Sequence, residues 1–175
     1  MLVLGAFITD MKFRFVDKIT SWSPYGQING IKAVSFEEYC LKETFGDEPH
    51  LPESLLLESF LQLGNWLILL SSDFQQMGLV VRMSKIQFHD YLRPGQHLSM
   101  NVKLVRQNQN GFEFSGEGRV NGQMVITGFG CLATPVDTEE FINPEDLRVL
   151  FSEICQGKAP EKHPITNLQH PENVQ

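Results

Sequence analysis

Between Pro52 and Ser71 the chain places Leu55, Leu56, Leu57, Phe60, Leu61, Leu63, Trp66, Leu67, Ile68, Leu69 and Leu70. At helical spacing these side chains cover almost the whole circumference, and a helix that is apolar all round has to be surrounded by protein. Pro52 suits the first helical position and Glu53 the positive end of the dipole, so one buried helix is predicted from Pro52 to about Ser71. Its polar residues are not scattered. Ser54, Glu58, Gln62 and Asn65 fall at i, i+4, i+8 and i+11 and form one narrow seam along the rod.

From Leu98 to Pro135 the period changes to two. Leu98, Met100, Val102 and Leu104 alternate with Ser99, Asn101 and Lys103, and Phe112, Phe114, Gly116, Gly118 and Val120 alternate with Glu113, Ser115, Glu117 and Arg119. That is the pattern of half-buried antiparallel strands. Asn110-Gly111 and Asn121-Gly122 separate them, and Asn-Gly readily takes the positive-φ geometry of a tight hairpin. The expected meander is about 97–107, 112–120 and 123–134. Upstream, Leu79–Phe88 reads as a strand ended by the turn Leu92-Arg93-Pro94-Gly95, and Phe13–Trp22 with Gln27–Ser35 as a hairpin across Ser23-Pro24-Tyr25-Gly26. A second helix is expected from Pro144 to about Ile154, with Asn143 as its N-cap and Leu147, Leu150, Phe151 and Ile154 as its docking stripe.

A single buried helix and five to seven antiparallel strands have one compact α+β solution, a strongly bent sheet wrapped around the helix: the hotdog architecture. The 175 residues suit one such domain. It is assigned to 1–136, with a C-terminal helix over 137–157 packed on it and a loose tail over 158–175, where three prolines and few apolar residues leave little to bury. The sheet's exposed edge makes a dimer the default expectation.

Charge narrows the partners. Fourteen Lys and Arg against 21 Asp and Glu give a net −7, which argues against nucleic acid. Eight acids and three bases lie between Asp137 and Gln175, so that segment carries −5 and residues 1–136 only −2. Cys40, Cys131 and Cys155 are odd in number and contain no CxxC pair, so neither a disulfide framework nor a zinc site is expected, and a cytoplasmic home is. Met1–Phe7 is apolar but lacks the basic flank and length of a signal peptide. The most apolar stretch, Ser59–Ser72, has 14 uncharged residues, short of the roughly 20 a membrane span needs.

Glu58 is the residue that asks for an explanation. An ionised carboxylate among leucines needs a hydrogen-bond partner, a raised pKa or a water-filled channel. It is either an acid or base at the floor of an apolar tunnel, or, with Gln62, a device that satisfies backbone groups in a loop or at a dimer seam.

The residues Phe45-Gly46-Asp47-Glu48-Pro49-His50-Leu51-Pro52-Glu53-Ser54-Leu55-Leu56-Leu57-Glu58-Ser59-Phe60-Leu61-Gln62 resemble the hallmark of β-hydroxyacyl-acyl-carrier-protein dehydratases of the FabZ/FabA type, G-H-F-P-G-x-P-x-x-P-G-V-L-x-x-E-A-x-A-Q. Phe45, Pro49, Pro52, Leu55, Glu58 and Gln62 keep its spacing. Lys85-Ile86-Gln87-Phe88 and Leu92-Arg93-Pro94-Gly95-Gln96-His97-Leu98 resemble the family's K-x-x-F-x-x-P-V-x-P-G-D-x-L, and the match spans about residues 12–135. The resemblance implies the hotdog fold and an acyl-thioester tunnel beside the central helix. In the family a histidine removes the C2 proton while a glutamate across the dimer interface protonates the departing β-hydroxyl. The glutamate carries over as Glu58, with Gln62 orienting it.

The histidine does not carry over. Thr44 stands at its position, and a hydroxyl without an activating base cannot take a carbon-bound proton near pH 7. Glu53 replaces the glycine whose N–H faces the thioester carbonyl, bringing bulk and charge to that helix end, and Gly46 replaces a proline. Two routes could restore a base: His50 in the same loop, or a heterodimer in which a histidine-bearing paralogue completes a hybrid site. Phe45, Glu53, Ser54 and Phe88 are the expected substrate-facing residues.

Residues 82–106 hold five bases, Arg82, Lys85, Arg93, Lys103 and Arg106, against Asp90. They form either a solvated strand face or a docking surface for an acidic carrier protein or the phosphates of coenzyme A, with Arg82, Lys85 and Arg93 as its candidates. Cys40 has no neighbouring base and reads as a small core residue. No G-x-S-x-G, P-loop or metal-ligand spacing occurs, so no metal or cofactor is expected. The leading function is a dehydratase relative of fatty-acid or polyketide-type lipid metabolism, with an acyl-thioester hydrolase using Glu58 and a non-catalytic acyl- or carrier-binding module as the alternatives.

Overall fold

The computed structural model describes residues 14–37, 48–108 and 111–155. Six antiparallel strands form one sheet in the order β1-β2-β4-β5-β6-β3: β1 (Lys18–Trp22), β2 (Gln27–Ala33), β3 (Gln76–Phe88), β4 (His97–Asn108), β5 (Gly111–Val120) and β6 (Gln123–Asp137). Helix α1 (Glu53–Ser71) packs against β2, β3, β4 and β5, and α2 (Pro144–Ile154) follows the sheet. This is the α+β hotdog fold that the periodicities predict.

The inner faces of β5 and β6 show why the helix can lie so close. Gly116 and Gly128 are cross-strand partners, and Phe60 of α1, fully buried, fills the space between them; a Cβ on Gly128 would lie 2.6 Å from its ring. At Gly64 the helix backbone makes room in return, since a Cβ there would lie 2.6 Å from Phe114. Only side chains absent on one partner let ring and sheet reach packing distance. At Asn121 (φ 49°) and Gly122 (φ 84°) the chain makes the expected two-residue turn closed by Val120 and Gln123. The other hairpin closes at Asn108 and Gly111, so Gly111 opens β5 instead of standing in the turn, and Asn110 lies outside the described residues.

Several boundaries differ from the sequence pattern. Pro52 is the N-cap (φ −52°, ψ 140°) and Glu53 the first helical residue, because the Pro52 carbonyl already accepts from the Leu55 and Leu56 amides. β3 begins at Gln76, directly after a left-handed pair, Asp73 (φ 52°) and Phe74 (φ 65°), that turns the chain sharply out of α1. β6 runs through Pro135 to Asp137. Proline is tolerated there because pairing with β5 ends at Ala133, leaving β3 alone alongside. The helix is also not covered all round. Glu53 and Ser54 are exposed, and Leu55, Leu57, Glu58, Leu61 and Gln62 are half-buried, so the N-terminal half of α1 keeps one open flank within the single chain. By length and composition its 19 residues could cross a bilayer, which the 14-residue count did not anticipate; here it is the core helix, more than half buried in its own sheet.

At its N-terminus α2 matches expectation, with Asn143 Oδ1 accepting from the Glu145 amide at 3.0 Å. It packs over the far end of α1. Phe151 sits among Trp22, Trp66 and Phe74 at centroid distances of 6.2, 5.9 and 6.0 Å, while Leu147 and Ile154 are buried. Arg148 clamps the left-handed turn, donating to the Asp73 carboxylate at 2.9 Å and carbonyl at 3.0 Å and lying 4.6 Å from the Phe74 ring centroid.

Candidate active site

The polar seam of α1 faces the open flank and the segment before β1. Gln62 is held from two sides. Its Oε1 accepts from the Phe15 backbone N–H at 3.0 Å, and its Nε2 donates to Glu58 Oε1 at 2.9 Å. A backbone N–H can only donate, so the Gln62 oxygen must face Phe15 and its amide nitrogen must face Glu58. The carboxylate is thereby fixed as an acceptor on one oxygen, and Gln62 is its hydrogen-bond partner among the described residues. One turn on, Asn65 Oδ1 accepts from the Gly78 N–H of β3 at 2.7 Å. Gln62 and Asn65 thus satisfy backbone donors, while Glu58 binds no backbone among the described residues and is held by a side chain.

Thr44 and Phe45, like Cys40, lie outside the described residues. His50 is turned to another neighbourhood. Its Nδ1 lies 2.9 Å from the Glu48 carbonyl, and its ring stacks on Tyr91 at 4.3 Å between centroids. A carbonyl only accepts, so Nδ1 carries the proton in this contact. With Arg93, which meets Glu48 at 3.3 Å and Asp90 at 3.4 Å, these residues line a separate cup of about 240 Å³. His89 is bound through Nε2 to Thr127 Oγ1 at 3.0 Å. Among the described residues no imidazole touches Glu58.

Of the other expected residues, Glu53 and Ser54 stand exposed at the start of α1, and Phe88 is exposed at the end of β3. Arg93 is committed to two carboxylates, whereas Arg82 and Lys85 are exposed on β3 without an acidic partner among the described residues. Cys131 is fully buried, and burial pushes its thiol up to about 11, which leaves it inert as a nucleophile. No group of three or more His, Cys, Asp or Glu among the described residues could hold a metal ion. The role of the Phe15 N–H in fixing Gln62 has no signal in the sequence, since any residue but proline supplies it.

A model of the FabA-like domain matches residues 8–128. The chain belongs to the FabZ/FabA-like hotdog dehydratase family. Relatives within it include the 3-hydroxyacyl-[acyl-carrier-protein] dehydratase FabZ of Thioalkalivibrio sulfidiphilus, 30% identical over 122 residues that cover 66% of this chain and 82% of the relative. FabZ of Oleidesulfovibrio alaskensis is 27% identical over 125 residues, covering 70% and 81%. Among solved structures, mouse thioesterase superfamily member 2 shares the fold at TM-score 0.56 and 14% identity, covering 73% of this chain and 87% of that one. The dehydratase heterocomplex ApeI:P of Xenorhabdus doucetiae does so at TM-score 0.52 and 12% identity, covering 65% and 92%. At such identities these two structures speak for the hotdog fold alone. Helix α2 lies beyond the matched domain, so its packing over α1 is an addition to the FabA-like unit.

Proposed function

We propose that this chain is the carboxylate-bearing subunit of a cytoplasmic 3-hydroxyacyl-thioester dehydratase in fatty-acid or polyketide-type metabolism, its base supplied by a histidine-bearing paralogue. Glu58 is the acid that protonates the departing hydroxyl, and Gln62 sets its direction. The observation that carries this reading is the Phe15–Gln62–Glu58 chain: a half-buried carboxylate held by an amide whose orientation is itself fixed, with no imidazole beside it among the described residues. A structural glutamate has no need of that arrangement; a proton donor that must meet one oxygen of a substrate does.

Three further features support it. Thr44 occupies the family's histidine position, so a lone chain lacks the base that the reaction needs. The flank of α1 that carries Leu55, Leu57 and Leu61 next to Glu58 is apolar and only half-buried in the single chain, which suits an acyl chain bound there against a second subunit. The fold neighbour ApeI:P is itself a dehydratase heterocomplex, so unlike pairing has a precedent in this fold.

The test is to purify the chain with its native partners and incubate it with 3-hydroxyacyl and acyl thioesters of both acyl carrier protein and coenzyme A. Loss of water that Glu58→Gln abolishes is the expected result. Release of free thiol, or dehydration that survives Glu58→Gln, overturns it. The same preparation lacking any second hotdog subunit removes the paired form of the proposal.

A further inference from the structure

Helix α1 starts without the usual side-chain hold. Its N-cap is Pro52, which makes no cap hydrogen bond, and its first residue, Glu53, is exposed. A helix frays from an end that nothing caps, so this start has to be fixed from outside. The fixture is the loop between β3 and β4. The Leu51 amide donates to the Leu92 carbonyl at 2.7 Å, and both leucine side chains are fully buried. One residue before each of these leucines, the His50 and Tyr91 rings stack at 4.3 Å between centroids, and His50 Nδ1 donates to the Glu48 carbonyl at 2.9 Å. Arg93 stiffens the loop that carries Tyr91, since its guanidinium lies 3.4 Å from the Asp90 carboxylate and 3.4 Å from the Tyr91 carbonyl. Its pair with Glu48, at 3.3 Å, is largely in water and adds little by itself. The ring contact is therefore the main side-chain link between the two segments.

The family pattern does not ask for that link. It leaves position 50 open and has proline where Tyr91 stands, in a chain whose Thr44, Gly46 and Glu53 also depart from it. Glu58 lies five residues beyond Glu53, about 7.5 Å along the helix axis. One turn further on, Gln62 is fixed by the Phe15 N–H. The carboxylate thus stands between two anchors, Phe15 acting on the amide above it and the His50–Tyr91 clasp acting on the helix start below it. We propose that His50 and Tyr91 are positioning residues for Glu58: by pinning the start of α1 to the β3–β4 loop they set the place at which the carboxylate meets the substrate. A shift of about 1 Å at a reacting group can cost about a hundredfold in rate, so a clasp of this kind governs turnover without touching the substrate. The proposal rests on the reading of Glu58 as the acid, and it gives His50 a mechanical role in place of a chemical one.

Hydrogen exchange of the full chain reads the clasp without any turnover. Tyr91→Ala, which removes the stacked ring, should speed exchange of the Leu57 and Glu58 amides at least about fivefold, while the amides of residues 67–70 in the same helix keep their rates. Tyr91→Phe, which keeps the ring, should restore slow exchange. In the preparation with native partners, Tyr91→Ala and His50→Ala should each lower kcat for dehydration at least about tenfold with KM within about twofold, and Tyr91→Phe should bring kcat back. Exchange that rises equally along the whole of α1, or not at all, overturns the proposal. So does a KM that climbs as kcat falls, since the two rings would then bind substrate instead of placing the acid. Turnover abolished by His50→Phe with exchange still slow overturns it as well, because the imidazole would then be acting on the substrate. The exchange results do not depend on turnover, so failure of the clasp and failure of the dehydratase reading are told apart.

Discussion

Strand β1 ends the sheet on one side with five residues, a bulge between Ile19 and Ser21, and a parallel bridge from Ile19 to Cys155 at the end of α2. Strand β3 ends it on the other side with thirteen residues that have no strand neighbour beyond them, α1 reaching only its start through Asn65 and Gly78 among the described residues. The covering helix comes from the part of the chain beyond the FabA-like domain, and its anchors run from Trp22 of β1 across Trp66 to Phe74 and Asp73 in the turn that leads into β3. One edge is therefore made safe within the chain and the other is kept available. An available edge next to the open flank of α1 and Glu58 fits the proposal of a site completed by another subunit.

Truncations should separate the two edges most sharply. Phe151→Ala removes the ring that Trp22, Trp66 and Phe74 enclose, and urea unfolding should register a loss of about 3 kcal/mol. Phe88→Ala on the open edge should cost under about 1 kcal/mol in the isolated chain, because its ring is already half in water. Equal costs would mean that α2 is not the cover it is taken for.

One strand in from the open edge, Cys131 lies opposite Met83 with its thiol pushed up to about 11 by burial. The unfolded chain gives up this proton first, near an ordinary thiol pKa of about 8.5, so the stability it contributes is full below that pH and drains away as the pH climbs to about 11. Cys131→Ala should flatten that part of the stability profile by up to about 3 kcal/mol. An unchanged slope would show that the sheet beside β3 admits water.

The clamp of α2 on the turn before β3 is worth less. Arg148→Ala loses two hydrogen bonds and the contact with Phe74, but the guanidinium is a third exposed, so the expected cost is about 1 kcal/mol. The smallest effect belongs to the open edge again. Arg82→Glu should change the stability of the isolated chain by less than about 0.5 kcal/mol, as surface substitutions do.

Much of this was legible in the sequence because it is written in local periods. The rod of leucines, the Asn121-Gly122 turn, the three-strand meander and the Asn143-Pro144 helix start each need only neighbours in the chain to be recognised. The start of β3 was not legible, since Asp73 and Phe74 adopt left-handed geometry without a glycine to announce it, and what holds them there is Arg148, seventy-five residues away. Gly116 and Gly128 read as ordinary inward positions; their purpose becomes visible only when Phe60 of α1 is set between them. At the site, Glu58 and Gln62 stood out by type and spacing, whereas the amide that fixes them belongs to Phe15, whose side chain is irrelevant to the bond. His50 was a candidate base by proximity in sequence; its contacts with the Glu48 carbonyl and Tyr91 are ones that this proximity does not foretell.

The measurement that bears most directly on Glu58 as a working acid without its base is the dehydration of a 3-hydroxyacyl thioester, and the reverse hydration of the 2-enoyl thioester, by the Thr44→His variant. The comparison is with the chain that keeps Thr44, under the same conditions. Turnover should rise at least about a hundredfold over that chain, the size of a general-base contribution, and fall back when Glu58→Gln is added. Turnover that stays absent once the imidazole has been introduced, or that does not depend on Glu58, would contradict the account.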